Sequence, residues 1–132
     1  MEMIQVACAV ILNNRKLLAV QRSETMNFPF KWEFPGGKID LGETAEDCLH
    51  RELKEELNIS VRIESRLSAT VYIDANINIK LIPFVVTYKE GKIVLAEHCD
   101  AKWITKKEMN RLDWAPADVP IVNTIVKSDY IN

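Results

Sequence analysis

The chain has 132 residues, which suggests one domain, residues 1–132, around one hydrophobic core. Apolar residues make up 48%, as in an ordinary soluble globular protein, and the formal net charge is −2. That charge leaves no basic footprint for a nucleic acid polymer or an anionic membrane, so a small anionic substrate must be met by local positive groups or a metal.

Cys8, Cys48 and Cys99 are far apart and form no CxxC pair, which reads as free, mostly buried thiols in a reducing compartment. Glu2 stands where a signal peptide would be basic, Gln5 interrupts the first apolar run, and no apolar stretch is long enough to span a membrane. A cytoplasmic protein is expected.

Residues 3–12 are rich in Ile, Val, Ala and Cys and read as a buried strand. Asn13-Asn14 marks a turn, and residues 16–22 read as a second strand paired with the first. Residues 23–31 form a loop and residues 32–34 a short extended piece, with Pro35 disfavouring a helical Phe34. Gly36 and Gly37 permit a tight turn and a close backbone approach. Thr44 is a good helix N-cap, with Asp47 in the capping-box position, and the helix runs to about Leu57. Residues 61–75 and 78–88 look like two long strands of one antiparallel hairpin. Gly91 is a turn and residues 101–104 a short strand. Thr105 caps a short helix over residues 106–112, and a last helix covers roughly residues 119–128. This order describes a mixed sheet layered with helices, an α/β or α+β domain.

The helix after Thr44 carries the chemistry. Ala45, Leu49, Leu53 and Leu57 repeat every four residues and form an apolar stripe. Glu52, Glu55 and Glu56 project together beside it. Like charges at this spacing repel, and a hard divalent cation removes the repulsion. The bland reading is a solvated face neutralised by Lys54 and Arg51.

From Gly37 the order is glycine, five residues, Glu43, seven residues, then Arg51-Glu52-Leu53-Lys54-Glu55-Glu56-Leu57-Asn58-Ile59. This resembles the signature of the Nudix hydrolases at every defined position but one. Asn58 stands where that family has the glycine that ends the helix, and Asn is the next best residue for a left-handed cap. The resemblance covers nearly the whole chain and implies the Nudix fold, a mixed β-sheet in an α/β/α sandwich. It implies Mg²⁺ as cofactor, with Mn²⁺ as the alternative, held by Glu52, Glu55 and Glu56 and by the main-chain carbonyl of Gly36. Arg51 and Glu43 match an ion pair that orients the catalytic helix. Glu97, ahead of Trp103, matches a glutamate of MutT-like members that binds metal or acts as base; a solvated loop glutamate is the rival reading, and Asp100 is the neighbouring candidate.

Arg22 matches an arginine that reaches the nucleotide, against an exposed strand-end arginine. Lys38 is no P-loop lysine, since Trp32 and Ile39 break that pattern. It touches phosphate as a point charge or is merely exposed. His98 and Cys99 lack a second pair at zinc-ligand spacing. Residues 112–122 resemble the C-terminal segment of MutT-like nucleoside triphosphatases, where the position of Asp118 faces the base; Asp118 is equally placed as an N-cap. Phe34, Phe28 and Trp114 are candidates to stack on a base or to fill the core.

The resemblance thus implies a Mg²⁺-dependent nucleoside triphosphate pyrophosphohydrolase. It would release the monophosphate and pyrophosphate from 8-oxo-dGTP or another oxidised dNTP, or from CTP or dCTP, and so sanitise the nucleotide pool. The alternatives are a Nudix hydrolase of a nucleotide sugar and a non-catalytic nucleotide-binding module. Monomer and homodimer are both open.

Overall fold

A run of ten residues, Ile4–Asn13 (β1), forms the centre of a mixed sheet in the computed structural model, which describes residues 2–132. Strand periodicity sends Ala7, Ala9 and Ile11 into one apolar cluster and Cys8 and Val10 into the other. Burial on both faces explains why this stretch is continuously apolar. β2 (Lys16–Gln21) returns antiparallel through Asn14 and Arg15, whose φ angles of 51° and 59° are those of a type I′ hairpin turn. The turn lies one residue later than expected because Asn13 still pairs with Lys16.

β3 (Trp32–Glu33) pairs with β2, and β4 (Gly36–Lys38) pairs antiparallel with the first half of β1. The expected tight turn at Gly36 and Gly37 is therefore a strand. The expected close approach is present: a Cβ on Gly36 would lie 2.0 Å from the Ala7 carbonyl oxygen. After helix α1 (Ala45–Leu57), β5 (Ser60–Arg66) and β6 (Thr70–Ile73) both pair with β7 (Asn78–Glu90), which runs parallel to β1. The expected single hairpin is broken into two pieces. Arg66 pairs with Phe84 and Thr70 with Leu81, and between them Pro83 offers a carbonyl, taken by the Leu67 amide, but no N–H to continue the ladder. β8 (Asp100–Ile104) closes the other edge against β2.

α1 covers one face with Cys48, Leu49, Leu53 and Leu57, all fully buried, and Ala45 partly so. The opposite face is covered by Ile121, Val122 and Ile125 of α3 (Val119–Val126) and by Met109 of α2 (Lys106–Met109). α2 stops short of the expected Leu112 because the carbonyl of Met109 is taken by the indole N–H of Trp114 at 2.8 Å. The result is the expected α/β/α sandwich.

Both ends of α1 are written in the sequence. The Thr44 hydroxyl accepts from the Asp47 amide at 3.0 Å. Asn58 takes the left-handed conformation, φ 60° and ψ 34°, and donates from its side chain to the Lys92 carbonyl. Asn58→Gly is expected to leave the melting temperature nearly unchanged, because it removes the Cβ penalty and that side-chain bond together. Asn58→Val is expected to lower it by a few degrees, since a left-handed non-glycine residue costs roughly 1–2 kcal/mol. Thermal melts of both variants make the comparison; equal melts would remove Asn58 as the residue that ends the helix.

Candidate active site

Ion pairing fixes the outer flank of α1. Arg51 donates to both carboxylate oxygens of Glu43, at 2.7 and 2.9 Å, to Glu52 at 2.8 Å and to Glu55 at 3.2 Å. This pairing draws the Glu43 carboxyl down to about 2 and pushes the Arg51 guanidinium further up. Glu52 lies in the space where a Cβ of Gly37 would stand, 2.2 Å from its carboxyl carbon. The second glycine thus lets β4 pass directly against the carboxylate.

One turn later, Glu56 points inward. Its Oε2 is buried and unpartnered. Burial first, then the neighbouring charge and hydrogen bond of Glu52 and the charges of Glu97 and Glu33, push its pKa up to about 9. Such a carboxyl prefers its proton in the folded chain. Stability contributed by Glu56 is therefore complete below its ordinary 4.5 and is lost as pH rises towards about 9. Melts of the metal-free protein between pH 5 and 9 are expected to decline in the wild type and to flatten in Glu56→Gln. Parallel curves would acquit Glu56.

Glu97 reaches this place through backbone strapping. The segment after β7 runs along the end of α1, with Val94 N–H donating to the Leu57 carbonyl and Ala96 N–H to that of Glu56. Glu56, Glu97 and Gly36 line a cavity of about 280 Å³, near the small end for a ligand pocket. Arg22, Phe34 and Asp118 line it too, so six of the expected site residues share one space. Glu55, with 59% of its side chain exposed, and Arg51, Glu52 and Lys38 stand outside that lining. Lys38 is exposed and borders a separate groove beside Asp40 and Glu43.

Asp118 is almost fully buried, and its side chain makes no capping bond to α3. The N-cap alternative is therefore set aside. Its carboxyl accepts from the Phe34 amide, yet burial and the charge of Glu33 outweigh that bond and Arg22, and hold its pKa well above the carboxylate range. Phe34 is buried and stacks on Trp114 at 5.1 Å. Phe28 meets the edge of Tyr72 across the cavity mouth and holds a left-handed φ of 51°, a strained setting for a bulky residue.

Glu33 and His98 also line the cavity and were not singled out for this site in the sequence. Glu33 accepts from Arg22 at 2.6 Å and from the buried His98 at 2.7 Å. They stand 65 residues apart. The one signal was the place of His98 beside Glu97, which spacing alone tests only for zinc. Cys8 and Cys48 are buried and Cys99 is exposed; all three are free. No helix among the described residues is long and apolar enough to cross a membrane.

A NUDIX domain family model matches residues 3–125. This chain belongs to the Nudix hydrolase family. The Nudix chain is 32% identical to the 8-oxo-dGTP diphosphatase of Escherichia coli (strain K12), over 92% of its own length and 95% of that protein. It is 30% identical to the CTP pyrophosphohydrolase of the same strain, over 96% and 93% of the two lengths. Among solved structures the Nudix hydrolase resembles the E. coli ORF135 protein, with a TM-score of 0.82, 30% identity, and 95% and 89% of the chains covered. It also resembles a MutT protein of the Nudix hydrolase family from methicillin-resistant Staphylococcus aureus 252, with a TM-score of 0.76, 36% identity, and 95% and 96% covered.

Proposed function

We propose that this Nudix hydrolase cleaves nucleoside triphosphates, oxidised dGTP or a cytidine nucleotide, to the monophosphate and pyrophosphate, with Mg²⁺ as cofactor. The observation that carries the reading is the mixed lining of one cavity. Carboxylates Glu56 and Glu97 share it with Arg22, Phe34 and the buried Asp118. A nucleotide makes the same mixed demand, with an anionic chain that wants a cation and a flat base with polar edges. The curated relatives named for 8-oxo-dGTP and CTP support the substrate class.

The donor set suits a hard cation. Among the described residues no three His, Cys, Asp or Glu side chains are already gathered tightly enough to hold an ion. But Glu56 carries a buried oxygen with no partner, in a carboxyl that burial and then its acidic neighbours keep protonated. A divalent cation would satisfy both. Glu52, Glu55, Glu56 and Glu97 with the Gly36 carbonyl would hold it, phosphate oxygens supplying further ligands. When bound, it neutralises phosphate charge and makes a coordinated water more acidic.

The chain's own residues do the rest. Arg51 pins Glu52 and Glu55 on the outer flank of α1. Glu97, the exposed carboxylate of the cavity, would take the proton of the attacking water. Arg22 meets the nucleotide, Phe34 and Phe28 give the base an apolar wall, and Asp118 contacts its polar edge. Attack at the β-phosphorus follows from the resemblance to MutT. Pyrophosphate release with Mg²⁺ from 8-oxo-dGTP, dGTP, dCTP, CTP, dTTP and a nucleotide sugar tests the reading. Turnover of the sugar nucleotide alone, or of none, would overturn it.

A further inference from the structure

Arg22 enters the cavity with one terminal nitrogen uncommitted. Its Nε donates to the Asn27 carbonyl and its Nη1 to Glu33 Oε1, while Nη2 has no partner among the described residues. The direction of the guanidinium therefore depends on Glu33, a long side chain on a strand of only two residues. The second oxygen of Glu33 lies 2.7 Å from Nε2 of His98, whose side chain is 2% exposed. A carboxylate only accepts, so the ring nitrogen donates. The backbone beside His98 is fixed in turn, with Cys99 N–H donating to the Gln21 carbonyl at 3.1 Å and Ala96 N–H to that of Glu56 at 3.1 Å. His98 is thus a wedge between the end of β2, Glu33 and the segment that carries Glu97.

Packing alone does not explain a histidine here. Its Nδ1 is buried without a partner, and burying an unpaired polar atom costs free energy that a leucine of similar volume would not. We infer that His98 is a positioning residue. By holding Glu33 it fixes the Glu33–Arg22 pair, and so the angle at which Arg22 meets the bound nucleotide. The inference deepens the nucleotide reading and rests on it for its kinetic test.

Two substitutions separate positioning from filling. His98→Gln keeps a donor near the place of Nε2, and His98→Leu fills the space without one. Loss of a charge-assisted hydrogen bond behind a binding group is expected to raise KM about tenfold in His98→Leu, with kcat within about threefold of wild type. His98→Gln is expected to bring KM back to within about threefold. A second measurement needs no turnover. The ¹⁵Nη1–Hη1 resonance of Arg22, assigned by its loss in Arg22→Lys, is expected to be distinct and slowly exchanging in wild type and His98→Gln. It is expected to collapse towards free arginine in His98→Leu. Should His98→Leu not fold, His98→Asn, whose amide falls short of Glu33, takes its place with the same expectation. An Arg22 resonance unchanged by loss of the donor, or a fall in kcat at constant KM, would overturn the inference. A wild type that hydrolyses no nucleoside triphosphate would overturn the functional reading instead, and the resonance would still decide the role of His98.

Discussion

Glu56→Gln is expected to lower kcat by about a hundredfold or more, a loss of a few kcal/mol of transition-state stabilisation, in a protein that still folds. The amide keeps the shape of the carboxyl and removes its capacity for charge. In the metal-free chain that charge is already suppressed, because burial and the nearby Glu52, Glu97 and Glu33 hold the proton on. Nothing structural in the resting fold is therefore lost on substitution, and the variant should melt no lower than wild type at pH 7. The loss falls on the state in which Glu56 must ionise to hold a cation. Steady-state kinetics across a Mg²⁺ titration, with a melt of each protein, make the test. Full activity in Glu56→Gln, or activity retained by wild type in EDTA, would remove the metal role. Glu55→Gln is the internal comparison. Glu55 is exposed and paired to Arg51, so a loss as large as that at Glu56 places its carboxylate in the loaded site, and a small loss leaves it in the ion-pair flank.

What the sequence made legible was local. The four-residue apolar repeat placed α1, Thr44 and Asn58 marked its ends, and the continuous apolar run of residues 3–12 marked β1 as a buried strand. These signals depend on neighbours within a few positions, where helix and strand geometry act directly. The misreadings lie where space decides. Gly36 and Gly37 were read for a tight turn and a close approach; the turn is a strand, and what the glycines approach, Ala7 and Glu52, is visible only in the fold. The long hairpin was drawn from β-rich composition, and Pro83 broke it from the partner strand, where no local reading of residues 61–75 could register it. In the same way Glu55 and Glu56 are equivalent as letters, but the roughly 100° between adjacent helical residues turns the first to solvent and the second inward. Glu33 and His98 met through the pairing of β8 with β2, a contact that sequence spacing does not encode.

Asp118→Ala is expected to cut kcat/KM for the preferred nucleotide by roughly ten- to a hundredfold, the usual scale for one base-edge contact of ~1–3 kcal/mol, and to leave slow hydrolysis of poor substrates nearly unchanged. Phosphate and metal contacts are common to every nucleotide, so discrimination must come from groups that meet the base, and Asp118 is the buried acid proposed for that contact. From composition alone an aspartate is an acceptor. That would favour bases presenting amino or imino donors, and Asp118→Asn would reorder them. The structure changes the expectation. Burial and the charge of Glu33 favour the protonated form, which offers one donor and one acceptor side by side. The asparagine side chain has the same shape and the same pair of functions. Asp118→Asn is therefore expected to keep the wild-type ranking of bases and to lose much less activity than Asp118→Ala. The measurement is kcat/KM for dCTP, 8-oxo-dGTP, dGTP and dTTP on the three proteins. A reordered ranking in Asp118→Asn would show that the residue reads the base as a carboxylate. Equal losses on all four substrates in Asp118→Ala would assign it to the fold, through its bond to the Phe34 amide, and would leave base selection to Arg22 and the aromatic wall.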